Sequence, residues 1–323
     1  MARRRKGRDI HGWVLFDKPY GMGSTQAVAK VRWLFTAKKA GHAGTLDPLA
    51  SGMLPIALGD ATKTVPYVQD GRKKYRFTIR WGAATETDDA EGMVIARSDH
   101  RPSEKDILAV LPQFIGKISQ MPPIYSALKI DGERAYNLAR AGEKVELAAR
   151  QVEIDQLQLI EMPDSDHATF ECICGKGTYI RAISRDMAKI LGTEGHVTAL
   201  RRLDVGPFAE EQMISLDILE EMRHRDPAEA HMSSVLVPIE TALDDIPALA
   251  VTDLEAARLY NGQAILLRGQ DTSGVLDEAF ATNQGVLVAI GFVEAGRFIP
   301  KRVFHNGGAN PPPLELERMP DVD

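Results

Sequence analysis

The chain has 323 residues, 44% of them apolar and 26% charged, and a formal net charge of −6. That length holds a full hydrophobic core and a second, smaller domain. No run approaches the ~20 apolar residues of a membrane span, and the basic start MARRRKGRDI has no apolar stretch behind it and does not read as a secretory signal, so a cytoplasmic location is expected. In chain order, residues 1–9 form a basic arm, either a solvated tail or a contact for nucleic-acid phosphates. HGWVLFDKP reads as a strand running into a turn. Ser24 then caps a helix whose residues Ala27, Val28, Val31, Leu34 and Phe35 share one face. The loop GHAGTLDPLASG (41–52) places one carboxylate, Asp47, among three glycines and a proline, a composition that admits close approach of a ligand to the backbone. MLPIAL is a short buried strand. Residues 74–81 alternate, with Tyr75, Phe77, Ile79 and Trp81 on one face and Lys74, Arg76, Thr78 and Arg80 on the other.

Ser103 opens an amphipathic helix to Phe114. Val152, Ile154, Leu157 and Leu159 mark one strand, and Ala168, Phe170, Cys172 and Cys174 the next. These two cysteines are too few for a zinc site and too close to bridge comfortably, so they read as buried thiols. A GKG turn leads into a helix carrying Ile180, Ile183, Met187 and Ile190 inward. Strands scattered among helices without regular βαβ alternation predict a mixed α+β domain rather than a doubly wound sheet. Residues 220–247, polar, charged and proline-containing, read as a connection. TDLE (252–255) is a capping box for a short helix ending at Gly262. AILL, GVLVAIGFV and RFIPKRVF, split by NQG and EAGR turns, predict a small β-rich module. The closing PPPLELERMPDVD reads as disordered.

Net acidity does not exclude a polyanionic partner, because the bases are clustered. RKKYRFTIR (72–80) holds five basic residues and no acid, and KVRWLFTAKK is similarly basic, while acids gather in TETDDAE, LEEM and the tail. A local basic cleft steers a polyanion whatever the total charge. GMG (21–23) lacks the third glycine of a dinucleotide fingerprint, GKGT (175–178) lacks the upstream glycine of a P-loop, and TETDDAEG does not fit a calcium loop. The histidines show no metal-ligand spacing, so neither metal nor cofactor is expected. Lys18, Asp47, Tyr75, Tyr179 and Arg181 remain as separated polar elements. Arg181 falls in the first turn of a helix, where the dipole disfavours a cation, and calls for a compensating anion. Asp47 is a suitable one.

DKPYG, GHAGTLDPLASGMLPIALGDATK, KKYRF, PPIYSALKIDGERAYNLARAG, GTYIRAISRD and VTALRR stand in this order. Together they resemble the motifs of the bacterial tRNA pseudouridine-55 synthases, the TruB family, over roughly residues 10–305. Gly23, where the family commonly has serine or threonine, and Ala43 are the departures. The resemblance implies a largely antiparallel pseudouridine synthase domain at 10–240, with an RNA-clamping insertion at about 120–150. It also implies a PUA-like RNA-binding domain at 247–308, leaving 309–323 as a tail. It implies isomerisation of uridine 55 in the tRNA T-loop after the base is flipped out, without cofactor or metal. The enzyme would act as a monomer, without protein partner or guide RNA. Asp47 would be the catalytic carboxylate, either as nucleophile or as base in a glycal route, with Arg181 as its partner. Tyr75 would stack on the uracil and serve proton transfer, and Tyr179 and Leu200 would line the pocket. His42 would fill the space the base vacates, and Lys18 would support the pocket or a phosphate.

Overall fold

The computed structural model describes residues 7–126, 129–130, 133–134, 147–225, 231–267 and 275–305. The first six residues of the arm, most of the insertion at about 120–150 and the tail lie outside the described residues. The end of the arm is tied down: the Arg8 amide donates to the Thr36 carbonyl at 2.7 Å and the Lys38 amide to the Arg8 carbonyl at 3.0 Å. Among the described residues, no helix is long and apolar enough to cross a membrane.

A nine-stranded sheet organises the chain. Across it run Ile214–Ser215, Gly12–Lys18, Ala50–Leu58, Gly195–Val205, Lys73–Trp81, His167–Cys174, Arg150–Asp164 and Gly116–Gln120, with Ala40–His42 also paired to Ala50–Leu58. Neighbours are antiparallel except Gly12–Lys18 with Ile214–Ser215, and Ala50–Leu58 with Gly195–Val205. The fold is therefore mixed α+β with a largely antiparallel sheet. The alternation of residues 74–81 is realised in Lys73–Trp81, where Phe77, Ile79 and Trp81 are buried. Phe77 pairs with Phe170 on the next strand, their rings stacked at 5.4 Å, a contact worth ~1 kcal/mol beyond the area buried. The change of parity from Ile154 to Leu157 is a bulge in Arg150–Asp164, which restores the apolar side chains to the core. Cys172 and Cys174 are free and buried there.

The MLPIAL run forms only part of a nine-residue strand, Ala50–Leu58. Its start lies beside Leu200–Arg202 in the parallel pair, and Gly52 takes φ +95° there. A Cβ on Gly52 would stand 2.2 Å from the Arg202 carbonyl oxygen, so only glycine lets these two strands meet. This junction, near the middle of the sheet, carries the loop of Asp47.

Three local expectations are corrected. Gly23, not Ser24, is the N-cap of the Ser24–Leu34 helix. Ser24 is instead buried and exchanges hydrogen bonds with Leu46, accepting from its amide at 2.8 Å and donating to its carbonyl at 2.7 Å. Ile190, the last residue of the Ile180–Ile190 helix, is exposed. The stretch 220–247 is no mere connection. Met232, Ile239, Ala242 and Leu243 are buried, the last three in one cluster with Trp13, Leu15 and Met53 of the sheet. The Ser103 and Thr252 capping boxes are both present, although the first helix tightens to a 3-10 turn after Val110, at Pro112.

The C-terminal part is β-rich, a five-stranded sheet ordered Ala248–Ala250, Leu276–Asn283, Val286–Glu294, Arg297–Val303 and Ile265–Leu266. Phe280, Leu287, Ile290 and Phe304 join the cluster of Ile239, Ala242 and Leu243, so the two parts share core. Lys63 donates to the Val303 carbonyl at 2.7 Å and the His305 amide to Asp60 at 2.9 Å, closing the same seam.

Candidate active site

The glycine loop is held from beneath. Lys18, wholly buried at the end of its strand, donates from Nζ to the carbonyls of Met22 at 2.7 Å, Pro19 at 3.0 Å and Pro48 at 3.3 Å. The Gly21 amide also donates to Pro48, at 2.8 Å, and the Ala50 amide to Asp47 at 3.1 Å. With Ser24 fixing Leu46, every residue from 46 to 48 is anchored by its main chain. The Asp47 side chain is left 39% exposed, aimed at the helix that starts with Ile180.

That helix has no side-chain cap. Its N-cap Tyr179 is instead bracketed by the buried amide of Gln120, which accepts from the Tyr179 amide at 2.8 Å and donates to its carbonyl at 3.2 Å. Arg181, one residue into the helix, is 6% exposed and meets Asp47 Oδ2 through Nη2 at 2.9 Å. Its other side meets Asp89 Oδ2 at 3.4 Å, and its remaining donors reach the carbonyls of Thr87 and Tyr125, each at 2.9 Å. Two carboxylates thus offset a cation placed against the helix dipole. Arg185, one turn on, pairs with Asp88 at 3.0 Å. Burial pushes the Asp88 carboxyl above its ordinary range, against the pull of Arg185.

Asp47, Tyr75, Tyr179, Arg181 and Leu200 come together around one pocket of about 400 Å³. Burial raises the Tyr75 and Tyr179 hydroxyls above their ordinary pKa; the Arg202 guanidinium opposes the shift at Tyr75. Lys18 and His42 do not line this pocket. Lys18 acts one layer below, and His42 sits on Ala40–His42 opposite Ile56, at the entrance to the loop.

Three residues escape sequence reasoning. Asp89 belongs to TETDDAEG, legible only as an acidic turn. Lys73 and Arg202 line the pocket and are 6% and 1% exposed. Lys73 donates to the carbonyls of Gln69 and Gly71, and Arg202 to those of Met53, Gly44 and Thr45. The alternation in VTALRR, with Leu200 and Arg202 on one face, was the available signal for Arg202. Among the described residues no carboxylate forms a salt bridge with Lys18, Lys73 or Arg202, so their charge remains available to an anion in or near the pocket.

Burial holds both lysines at a pKa of about 8. At Lys18 the Asp47 charge opposes this and Arg202 adds to it. Folded Lys18 loses its proton near pH 8 and the unfolded residue near 10.5, so between them the unfolded chain binds more protons and rising pH favours the fold. A Lys18→Met variant lacks that gain. Its stability relative to the parent should therefore fall between about pH 8 and about pH 10.5, read by urea denaturation; a constant difference would mean that Lys18 titrates ordinarily.

Comparison with known proteins follows the same residues. The family model "TruB family pseudouridylate synthase (N terminal domain)" matches residues 32–180, and "tRNA pseudouridylate synthase B C-terminal domain" matches 181–244. The chain is similar to tRNA pseudouridine synthase B of Bradyrhizobium diazoefficiens, 59% identical over 98% of this chain and 92% of that protein. Its likeness to the same-named protein of Brucella anthropi is 53%, over 95% and 100%. Among solved structures, a chain of a Cbf5-Nop10-Gar1 complex superposes with TM-score 0.67 at 26% identity, covering 91% of this chain and 84% of that one. A chain of an H/ACA RNP bound to a substrate RNA containing 2'-deoxyuridine gives 0.69 at 23%, over 94% and 91%, a likeness of fold.

Proposed function

The chain belongs to the TruB family of pseudouridylate synthases, and from that premise we propose that it converts uridine 55 in the tRNA T-loop to pseudouridine, with Asp47 as the catalytic carboxylate. The observation that carries the reading is the Asp47–Arg181 ion pair at 2.9 Å in a pocket walled by Tyr75, Tyr179 and Leu200. The pocket has a charged centre and flat or apolar walls, which suits a ribose with its base turned inward. A base stacked in a folded loop must leave the stack to arrive there, at a cost of a few kcal/mol.

The reaction breaks the C1'–N1 bond, turns the uracil and forms a C1'–C5 bond; C5 gives up a proton and N1 gains one, so nothing is oxidised. Asp47 serves it either by adding to C1' and leaving when C5 attacks, or by taking the C2' proton in a glycal route. Arg181 holds the carboxylate toward the ribose. Tyr75 stacks on the uracil and stands near the migrating protons, while Tyr179 and Leu200 pack around it. Lys18 braces the loop from below. His42, at the entrance to the loop, fills the gap left in the T-loop.

The protein acts alone on this reading, as a cytoplasmic monomer without partner or guide RNA. The C-terminal β-module is an RNA-binding domain of the PUA kind, seated against residues 59–70 and 239–243. The experiment is incubation of the purified protein with an unmodified tRNA transcript, followed by mapping of pseudouridine and chromatography of the products. Pseudouridine at position 55 alone, with no free uracil, is expected. Modification elsewhere, or uracil release, would reassign the substrate or the chemistry.

A further inference from the structure

We infer that Arg202 is a positioning residue for the reaction proposed above. One guanidinium fixes the main chain on both sides of Asp47 and faces Tyr75, tying the loop and the stacking ring into one unit. Its Nη2 donates to the Gly44 carbonyl at 3.1 Å and Nη1 to Thr45 at 3.4 Å, before the aspartate. Its Nε donates to Met53 at 2.7 Å, after it. Arg202 also stands opposite Tyr75 in the antiparallel pairing of Gly195–Val205 with Lys73–Trp81, so the two side chains share a face. Both line the pocket. The Arg202 guanidinium draws the Tyr75 hydroxyl toward ionisation, against burial.

Stability does not explain this residue. Among the described residues Arg202 has no carboxylate in salt-bridge contact, yet it is 1% exposed, and burying a charge so poorly compensated is costly where an apolar side chain would pack. What an arginine adds is a planar fork that reaches three separate carbonyls at once. A lysine ammonium in the same place keeps the charge and loses that span.

The inference rests on the proposed reaction, and parental turnover of unmodified tRNA is the control for that reading. Arg202→Lys should unfold within a few degrees of the parent and bind tRNA within about threefold. Its single-turnover rate at saturating tRNA should fall about 10- to 100-fold. In a Tyr75→Phe background the same change should cost several-fold less than in the parent, because the part of its effect that runs through the hydroxyl is gone while its hold on the Asp47 loop remains. A parental rate for Arg202→Lys, or an equal loss in both backgrounds, overturns the inference. A second measurement needs neither activity nor a folded Arg202 variant. In isotope-labelled arginine NMR, the Arg202 guanidinium protons should exchange slowly in the parent and about tenfold faster in Tyr75→Phe, the guanidinium having lost the hydroxyl it faces. Unchanged exchange means that the two groups do not act together.

Discussion

Asp47→Asn should lower the single-turnover rate of pseudouridine formation by about a thousandfold or more, while tRNA affinity stays near the parental value. The amide keeps the shape of the side chain and removes its charge and its nucleophilicity. The fold should survive, because the loop is held through its backbone: Lys18 and Gly21 on the Pro48 carbonyl, Ser24 on Leu46, Arg202 on Gly44 and Thr45. Arg181 loses one partner but keeps Asp89 and two carbonyls. The lost ion pair is partly solvent-exposed at Asp47, so the stability change should be about 1 kcal/mol or less. Thermal midpoint, tRNA affinity and rate belong on one preparation. A folded variant with near-parental turnover, free of deamidation, would end the catalytic assignment. Loss of stability with activity kept would make the loop a structural turn.

Arg181→Met should affect both stability and rate. Removing the guanidinium leaves Asp89, whose side chain is 10% exposed, without its arginine partner. It also takes a donor away from the Thr87 and Tyr125 carbonyls. Breaking a buried pair from one side costs about 3–5 kcal/mol, read here as a lower urea midpoint at unchanged slope. Where the variant is still folded, its turnover should be about a hundredfold lower, since Asp47 is no longer held. Arg181→Lys separates the two effects. One ammonium reaches one carboxylate and cannot bridge to the second, so stability should recover more than rate. Equal recovery of both would make Arg181 a structural residue only.

Much of this protein is legible in its amino-acid order, for local reasons. Alternation of apolar residues marks the Lys73–Trp81 strand because side chains on a strand point to opposite faces. The Thr252 capping box and the helix start at Ser103 are visible because the hydrogen bonds that define them span three residues. The family motifs single out Asp47, Tyr75, Tyr179, Arg181 and Leu200, which meet at one pocket. Even the anion for Arg181 could be asked for in advance, because the helix dipole acts within a single turn.

What only the tertiary structure decides involves partners far apart in sequence. Ser24 looks like a helix cap and is a brace for Leu46, twenty-two residues on. The polar stretch 220–247 resembles a connection, because its few apolar residues have no periodicity of their own. They are buried by surfaces that other segments supply. Asp89 reads as one acid in an acidic turn until Arg181 arrives from ninety residues away. Nothing in the sequence beyond the alternation of VTALRR marks Arg202 for burial, since burying an unpaired charge is costly. Its carbonyl partners at Gly44, Thr45 and Met53 exist only once the Gly52 backbone has closed against its strand. Sequence determined most of the elements and singled out the candidate groups of the site, whose signals are short-range; tertiary structure decided which buried groups hold them, because their hydrogen bonds form only across the assembled sheet.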